Sequence, residues 1–333
     1  MEATGGIKSL CVKVIVTGEN MYVKLIDIDN KYREKKRRGK RFPNLALMKL
    51  SAYHKARGDL VGFNIENPDV THISCVFKRN EKYAIQEAAA VTGGLTYGGS
   101  GCALTYKLPE NIELLKPDYD LYDFCEYSLG FTTRGCFRLC PWCIVNEKEG
   151  HFRRAQHIKE FHDSRFKSCK LLDNNILADR DWFFENTNWA IENNVRLDIT
   201  QGMDIRLLTD EIAEQLHKVK FIDGQMKFAW DRVEMEPVIV AGIGMLKDHG
   251  INVKRNVSFY VLSGFVDKNG IRTPFCKDVY RCNRIRELGA LSYAMPFDEC
   301  KDPLVKALVR WSNRHTLRNV PFYNYNRMPN GAS

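Results

Sequence analysis

Short runs of β-branched and apolar residues alternate along this chain with segments whose apolar residues recur at helical spacing, and few folds accept that order. Residues 23–28 (VKLIDI) read as a buried strand, and residues 45–57 (LALMKLSAYHKAR) as a helix. Pro43 suits the entry to that helix, and Gly58 suits its left-handed end. Two further strand-like runs, 60–65 and 70–77, precede a helical stretch over 81–91. Strand, helix, strand in succession predicts an α/β fold with a parallel, doubly wound sheet over residues 21–107, Rossmann-like in plan. Residues 1–20 precede the first clear strand and read as an extension of little structural weight.

The pattern breaks at residues 93–101 (GGLTYGGSG). This segment fails the G-x-G-x-x-G spacing of a dinucleotide site and reads as a flexible loop. Residues 108–128, with Pro109, Pro117 and many acidic side chains, lack periodicity and read as a linker. Alternation then resumes to the C-terminus, with strands expected at 129–133, 169–173, 196–200, 225–230, 257–263 and 291–295. Helices are expected at 182–193, 210–217, 238–249 and 278–288. Six strands interleaved with helices predict a partial (β/α)6-type barrel over residues 129–333, with functional groups at the carboxyl ends of its strands.

Eleven cysteines among 333 residues are too sparse for a disulfide scaffold, and their number is odd. Lys8, Lys13, Glu19 and Lys24 interrupt any signal-peptide core, and the longest apolar run, 238–246, is too short for a bilayer. The expectation is a cytoplasmic protein with no membrane partner, in which clustered thiols serve as metal ligands or redox groups rather than staples. Cys136, Cys140 and Cys143 form such a cluster, C-x3-C-x2-C, directly after the first predicted barrel strand. Three thiolates would leave one iron of a cubane open, whereas structural zinc takes four protein ligands. A zinc site completed by a remote cysteine or histidine is the alternative reading of the same residues.

With this spacing at this place, residues 129–320 resemble the radical S-adenosylmethionine (SAM) superfamily. The resemblance implies that Cys136, Cys140 and Cys143 bind a [4Fe-4S] cluster whose fourth iron is chelated by SAM. One-electron reduction would cleave SAM to a 5′-deoxyadenosyl radical that abstracts hydrogen from a substrate, in an oxygen-sensitive enzyme. Radical chemistry of this kind belongs to the cofactor, while the protein aims it and excludes water. Trp142 stands where the family carries an aromatic residue near the adenine. Asn174, ending the second strand, would face the SAM amino group, although the glycines usual there are missing. Gln201, Arg206 and Asp231 at the next strand mouths would reach the SAM carboxylate or ribose, Arg206 suiting a carboxylate and Asp231 hydroxyls. Each of these polar groups reads equally well as a surface ion pair or helix cap. Residues 262–265 (LSGF) are similar to the family's adenine-contacting segment.

The first domain resembles the cobalamin-binding-like domain that precedes many such barrels. It lacks the D-x-H-x-x-G sequence, so cobalamin would bind only without an axial histidine, and His54 is expected to face solvent. Cys276, Cys282 and Cys300 do not match an auxiliary-cluster domain and read, like Cys11, Cys75, Cys125 and Cys169, as ordinary buried thiols. Cys102 borders the glycine-rich segment.

The formal charge of +9 is local. Residues 31–41 (KYREKKRRGKR) carry eight basic groups and one acidic one, and the rest of the chain holds 42 basic and 40 acidic. Such a run would serve an RNA substrate or an acidic electron donor of flavodoxin or ferredoxin type, or simply be a solvated loop. The expected substrate is an RNA, a peptide or a small molecule, with group transfer such as methylation among the outcomes. The reading from a different class is a noncatalytic, metal-stabilised nucleic-acid-binding protein.

Overall fold

The computed structural model describes residues 20–33, 41–297, 300–314, 316 and 319–325. The N-terminal extension with Cys11, and residues 34–40 of the basic run, lie outside the described residues. The chain divides into two compact units, residues 1–128 with 160–163, and residues 129–159 with 164–333. Among the described residues no helix is long and apolar enough to cross a membrane.

The first unit is built on four parallel strands, β1 (Tyr22–Asp27), β2 (Leu60–Gly62), β3 (Val70–Ser74) and β4 (Gly94–Gly98), in the order β2-β1-β3-β4. Helix α1 (Leu45–Ala56) follows β1, and α2 (Glu81–Ala89) follows β3. Asn44 caps α1 by accepting from the Leu47 amide, and Gly58, at φ +85°, ends it as expected. Strand β1 contributes to two apolar clusters. Val23 and Leu25 pack with Leu47, Leu50 and Ile112, while Ile26 packs with Ile28, Ile73, Cys75 and Ala84. Apolar packing of β1 with residues of both helices is what a doubly wound sheet requires, and it explains the unbroken hydrophobicity of the strand.

Three expectations are corrected in this unit. Residues 94–98 of the glycine-rich segment are the fourth strand, not a flexible loop, and pair with β3 from Val70 to Ser74. Residues 108–128 are not a free linker. Ile112 enters the core beside Leu47, Lys49 donates to the Glu113 carbonyl, and Asp118 accepts from Ser51 (2.6 Å) and pairs with Lys55 (2.7 Å). Glu113 and Asp118 of this segment answer the basic Lys49 and Lys55 of α1.

His54 is the third correction. It is buried rather than solvent-facing, with Nδ1 2.7 Å from the Asp59 carboxylate and Nε2 2.9 Å from Nε2 of His72. The second ring nitrogen of His72 meets the Thr96 hydroxyl. One proton assignment satisfies the whole row: Thr96 donates to His72, His72 to His54, and His54 to Asp59. Both histidines are then neutral. Burial lowers the pKa of each, that of His72 to about 3. In the unfolded chain they titrate near 6.5. The unfolded state therefore binds more protons below that pH, and stability present above it falls as the pH drops from about 6.5 toward 3. Each histidine adds a slope of about 1.4 kcal/mol per pH unit while only its unfolded form is protonated. Urea melts of the chain at pH 7.5 and 5 should show this loss, and it should shrink in the variant His72→Gln.

The second unit carries two three-stranded sheets. The first runs β5 (Ser128–Gly130), β6 (Ser168–Leu171), β7 (Arg196–Ile199), and the second runs β8 (Met226–Ala229), β9 (Val257–Ser263), β10 (Leu291–Pro296). Pairing is parallel between β6 and β7 and throughout the second sheet. A single parallel bridge, Met203 with Phe228, joins the segment after β7 to β8. Helices α3 (Arg180–Glu192), α4 (Asp210–Lys218), α5 (Glu236–Asp248) and α6 (Phe275–Glu287) lie between successive strands, and α7 (Pro303–Ser312) follows β10. Strand β9 shows the expected two-residue period: Val257, Phe259, Val261 and Ser263 are fully buried, and the residues between them are half-buried. The α/β class and the parallel sheets thus agree with the sequence.

Candidate functional site

The three cysteines lie on the segment that leaves β5, and its course is set by a carboxylate that the sequence did not single out. Asp173, fully buried just beyond β6, accepts from the amides of Thr132 (3.0 Å) and Thr133 (2.6 Å) and from both their hydroxyls. Burial pushes its carboxyl up, and the four hydrogen bonds oppose that shift. The neighbouring Asn174 accepts from the Gly135 amide at 3.1 Å. Gly135 is obligatory here, because at φ +73° a Cβ would stand 2.1 Å from the His151 carbonyl oxygen. Arg134 closes the far side by pairing with Glu149 at 3.0 Å over the ring of Phe131. Residues 132–135 are therefore held from three directions just before Cys136.

Within the loop, Cys136 is buried, Cys140 half-buried and Cys143 exposed. The Cys136 sulfur accepts from the Arg138 amide (3.3 Å) and from Asn175 Nδ2 (3.6 Å). Hydrogen bonds to sulfur of this kind stabilise a thiolate and tune an iron–sulfur centre. Burial raises the pKa of Cys140 and of Cys143, and a neighbouring cysteine adds to each shift, so the thiols feel one another. Arg206 pulls Cys140 back toward ionisation. Among the described residues, no three His, Cys, Asp or Glu side chains are grouped so as to hold a single metal ion. A cubane asks for a different arrangement, since each thiolate bonds its own iron, and three thiols on one short loop suit it in number and in chemistry.

The loop borders a cavity of about 430 Å³. Pro141 and Trp142 from the loop, Asp231 from the end of β8, Phe265 after β9, and Arg272 and Arg281 contribute to its wall. Trp142 meets Phe265 edge-to-face at 5.5 Å. Burial raises the pKa of Asp231, with Arg281 and Arg206 opposing. Arg272 pairs with Asp302 through Nη1, while its Nε and Nη2 are buried without a hydrogen-bond partner. Such donors call for a water or a ligand group.

The proposed SAM contacts divide accordingly. Trp142 and Asp231 meet in the cavity wall. Asn174 instead spends its carbonyl on Gly135, and Arg206 gives Nε (2.6 Å) and Nη2 (3.0 Å) to Asp204, which also binds Arg138 at 2.9 Å. Those two side chains orient the cysteine loop and its surroundings, an outcome the ion-pair reading allowed. Gln201 is exposed and is not among the residues that line the cavity.

Sequence reading also missed Arg281. This fully buried guanidinium donates to the carbonyls of Trp230 (2.8 Å) and Leu262 (2.7 Å) and to Asp278 (2.6 Å), while Asp278 accepts from the Gly264 amide (2.7 Å). One ion pair thus ties the mouth of β8 to that of β9. Of the remaining cysteines, Cys75, Cys125, Cys169 and Cys282 are buried as expected, whereas Cys300 is half-buried and Cys276 exposed, against the expectation for both.

The chain matches no protein-family model and no curated protein sequence.

Proposed function

We propose that this protein is a radical SAM enzyme, with Cys136, Cys140 and Cys143 as the thiolate ligands of a [4Fe-4S] cluster. The observation that carries the reading is the cavity shared by the cysteine loop and the strand mouths, in which Trp142, Phe265 and Asp231 meet. An aromatic pair beside a carboxylate suits a purine and ribose hydroxyls, and the volume falls in the range of small-molecule sites. When bound, the cluster supplies the electron that cleaves the sulfonium of SAM.

The chain's own residues do the rest. Asp173 and Asn174 fix the entry to the loop, Asn175 and the Arg138 amide hydrogen-bond the Cys136 sulfur, and Trp142 closes one wall against water. The electron comes from a flavodoxin- or ferredoxin-type donor. The hydrogen donor is an RNA, a peptide or a small molecule, and the protein acts in the cytoplasm.

Anaerobic reconstitution with iron and sulfide should give a brown protein that converts SAM to 5′-deoxyadenosine in the presence of dithionite. Cys140→Ala should lose both the broad visible absorbance and the turnover. Colourless protein holding one zinc ion would overturn the reading in favour of a metal-stabilised binding protein.

A further inference from the structure

The glycine-rich segment that interrupts the first domain has a second consequence beyond forming β4. Its last residues, 99–101, and Cys102 after them turn back across the end of β3. Gly99, at φ +104°, comes so close that a Cβ would stand 2.3 Å from the Cys75 carbonyl oxygen, and one on Gly101 would stand 2.6 Å from the Phe77 carbonyl carbon. Only glycine permits either approach. The backbones are then stitched together, with Cys75 N donating to Gly98 O and Gly101 N to Cys75 O, both at 2.9 Å.

This turn carries Cys102 over Cys75. The Cys102 sulfur lies 3.0 Å from the Gly98 carbonyl oxygen and 4.0 Å from that of Cys75, and Cys102 packs against the apolar cluster that holds Cys75. Both are free cysteines. They differ in access, since Cys75 is fully buried at the end of β3 and Cys102 is half-buried. They differ also in acidity. The neighbouring Cys75 side chain lowers the Cys102 pKa, and Tyr97 adds to that, whereas Cys102 and burial raise the Cys75 pKa. A disulfide requires Cα atoms close together, and the Gly101 amide, one residue before Cys102, is anchored on the carbonyl of Cys75 itself.

We propose that Cys75 and Cys102 form a reversible redox pair, with Cys102 attacking and Cys75 resolving, whose oxidant is a small-molecule disulfide. The Cys102 thiolate attacks one sulfur of the oxidant and expels the other as a thiolate, which leaves a mixed disulfide on Cys102. Cys75 then loses its proton and attacks the Cys102 sulfur, expelling the second small thiol. One S–S bond breaks in the oxidant and one forms in the protein, two protein thiols are oxidised, and the oxidant leaves as two thiols. The product locks residues 99–102 onto the end of β3. The inference rests on the first unit alone and stands whether or not the second unit carries a cluster.

The test is a titration of the anaerobic full chain with mixtures of reduced and oxidised glutathione, quenched with acid, alkylated and mapped by peptide mass. Cys75 and Cys102 should lose alkylation together, a Cys75–Cys102 crosslinked peptide two hydrogens lighter should appear, and dithiothreitol should restore both thiols. In Cys75→Ser the glutathione adduct on Cys102 should persist, because nothing resolves it. If wild-type Cys75 and Cys102 stay alkylated across the titration, or if wild-type Cys102 accumulates the unresolved adduct, the pair is not a redox site.

Discussion

Asp173→Ala should destabilise the second unit by roughly 3–5 kcal/mol, the range for groups that leave several buried partners unsatisfied. The carboxylate receives four hydrogen bonds from Thr132 and Thr133 with no exposure to water. Alanine would leave two amides and two hydroxyls without acceptors. Asparagine is the sharper probe, since it keeps the volume. Its amide nitrogen would replace Oδ2 and meet the Thr132 N–H, or replace Oδ1 and meet the Thr133 N–H, donor against donor in either case, while the hydroxyls could rotate to accept. Asp173→Asn should therefore fold with intermediate stability yet hold residues 132–135 loosely. The measurements are a urea melt followed by tryptophan fluorescence, and iron retained after reconstitution. Wild-type iron content in a destabilised Asp173→Asn protein would show that this carboxylate serves the fold and not the loop.

Arg281→Met should be comparably costly, again about 3–5 kcal/mol, because it strands the Asp278 carboxylate inside the protein. Breaking one partner is worse than removing both. The double variant Arg281→Met, Asp278→Leu should recover a large part of the loss, although the Trp230 and Leu262 carbonyls and the Gly264 amide would still lack partners. Recovery near zero would mean that the backbone bonds, not the ion pair, hold the two strand mouths. Because Asp231 and Leu262 line the cavity beside Arg281, ligand binding should weaken in parallel with stability in the single variant.

Much of the fold was legible because its signals are local. Strand β9 and helix α1 announce themselves through periodicity, a cap and a terminal glycine, all of which depend on neighbours in sequence. The cysteine loop was legible for the same reason, its three thiols falling within eight residues. Residues 94–98 were misread because glycine permits a strand without favouring one, and only pairing with β3 decides the matter. His54 looked solvent-facing on a helix with polar neighbours, and burial became acceptable only because Asp59 and His72 supply partners from elsewhere in the chain.

The candidate site divides along the same line. Cys136, Cys140, Cys143 and Trp142 could be named from spacing, and Asp231 from its place after a predicted strand. What Asn174 does is decided by Gly135, 39 residues away in the chain, whereas Arg206 takes its partner, Asp204, from two residues before it. Asp173 and Arg281 could not be found in sequence at all, because a buried charge is tolerable only where distant backbone groups converge on it. The chain's order of residues therefore determined the alternating elements and the thiol-bearing loop, which arise from short-range propensity and spacing. The tertiary structure alone decided which polar side chains became internal struts and which were left facing the cavity, since hydrogen-bond partners dozens of residues apart meet only after the sheets have formed.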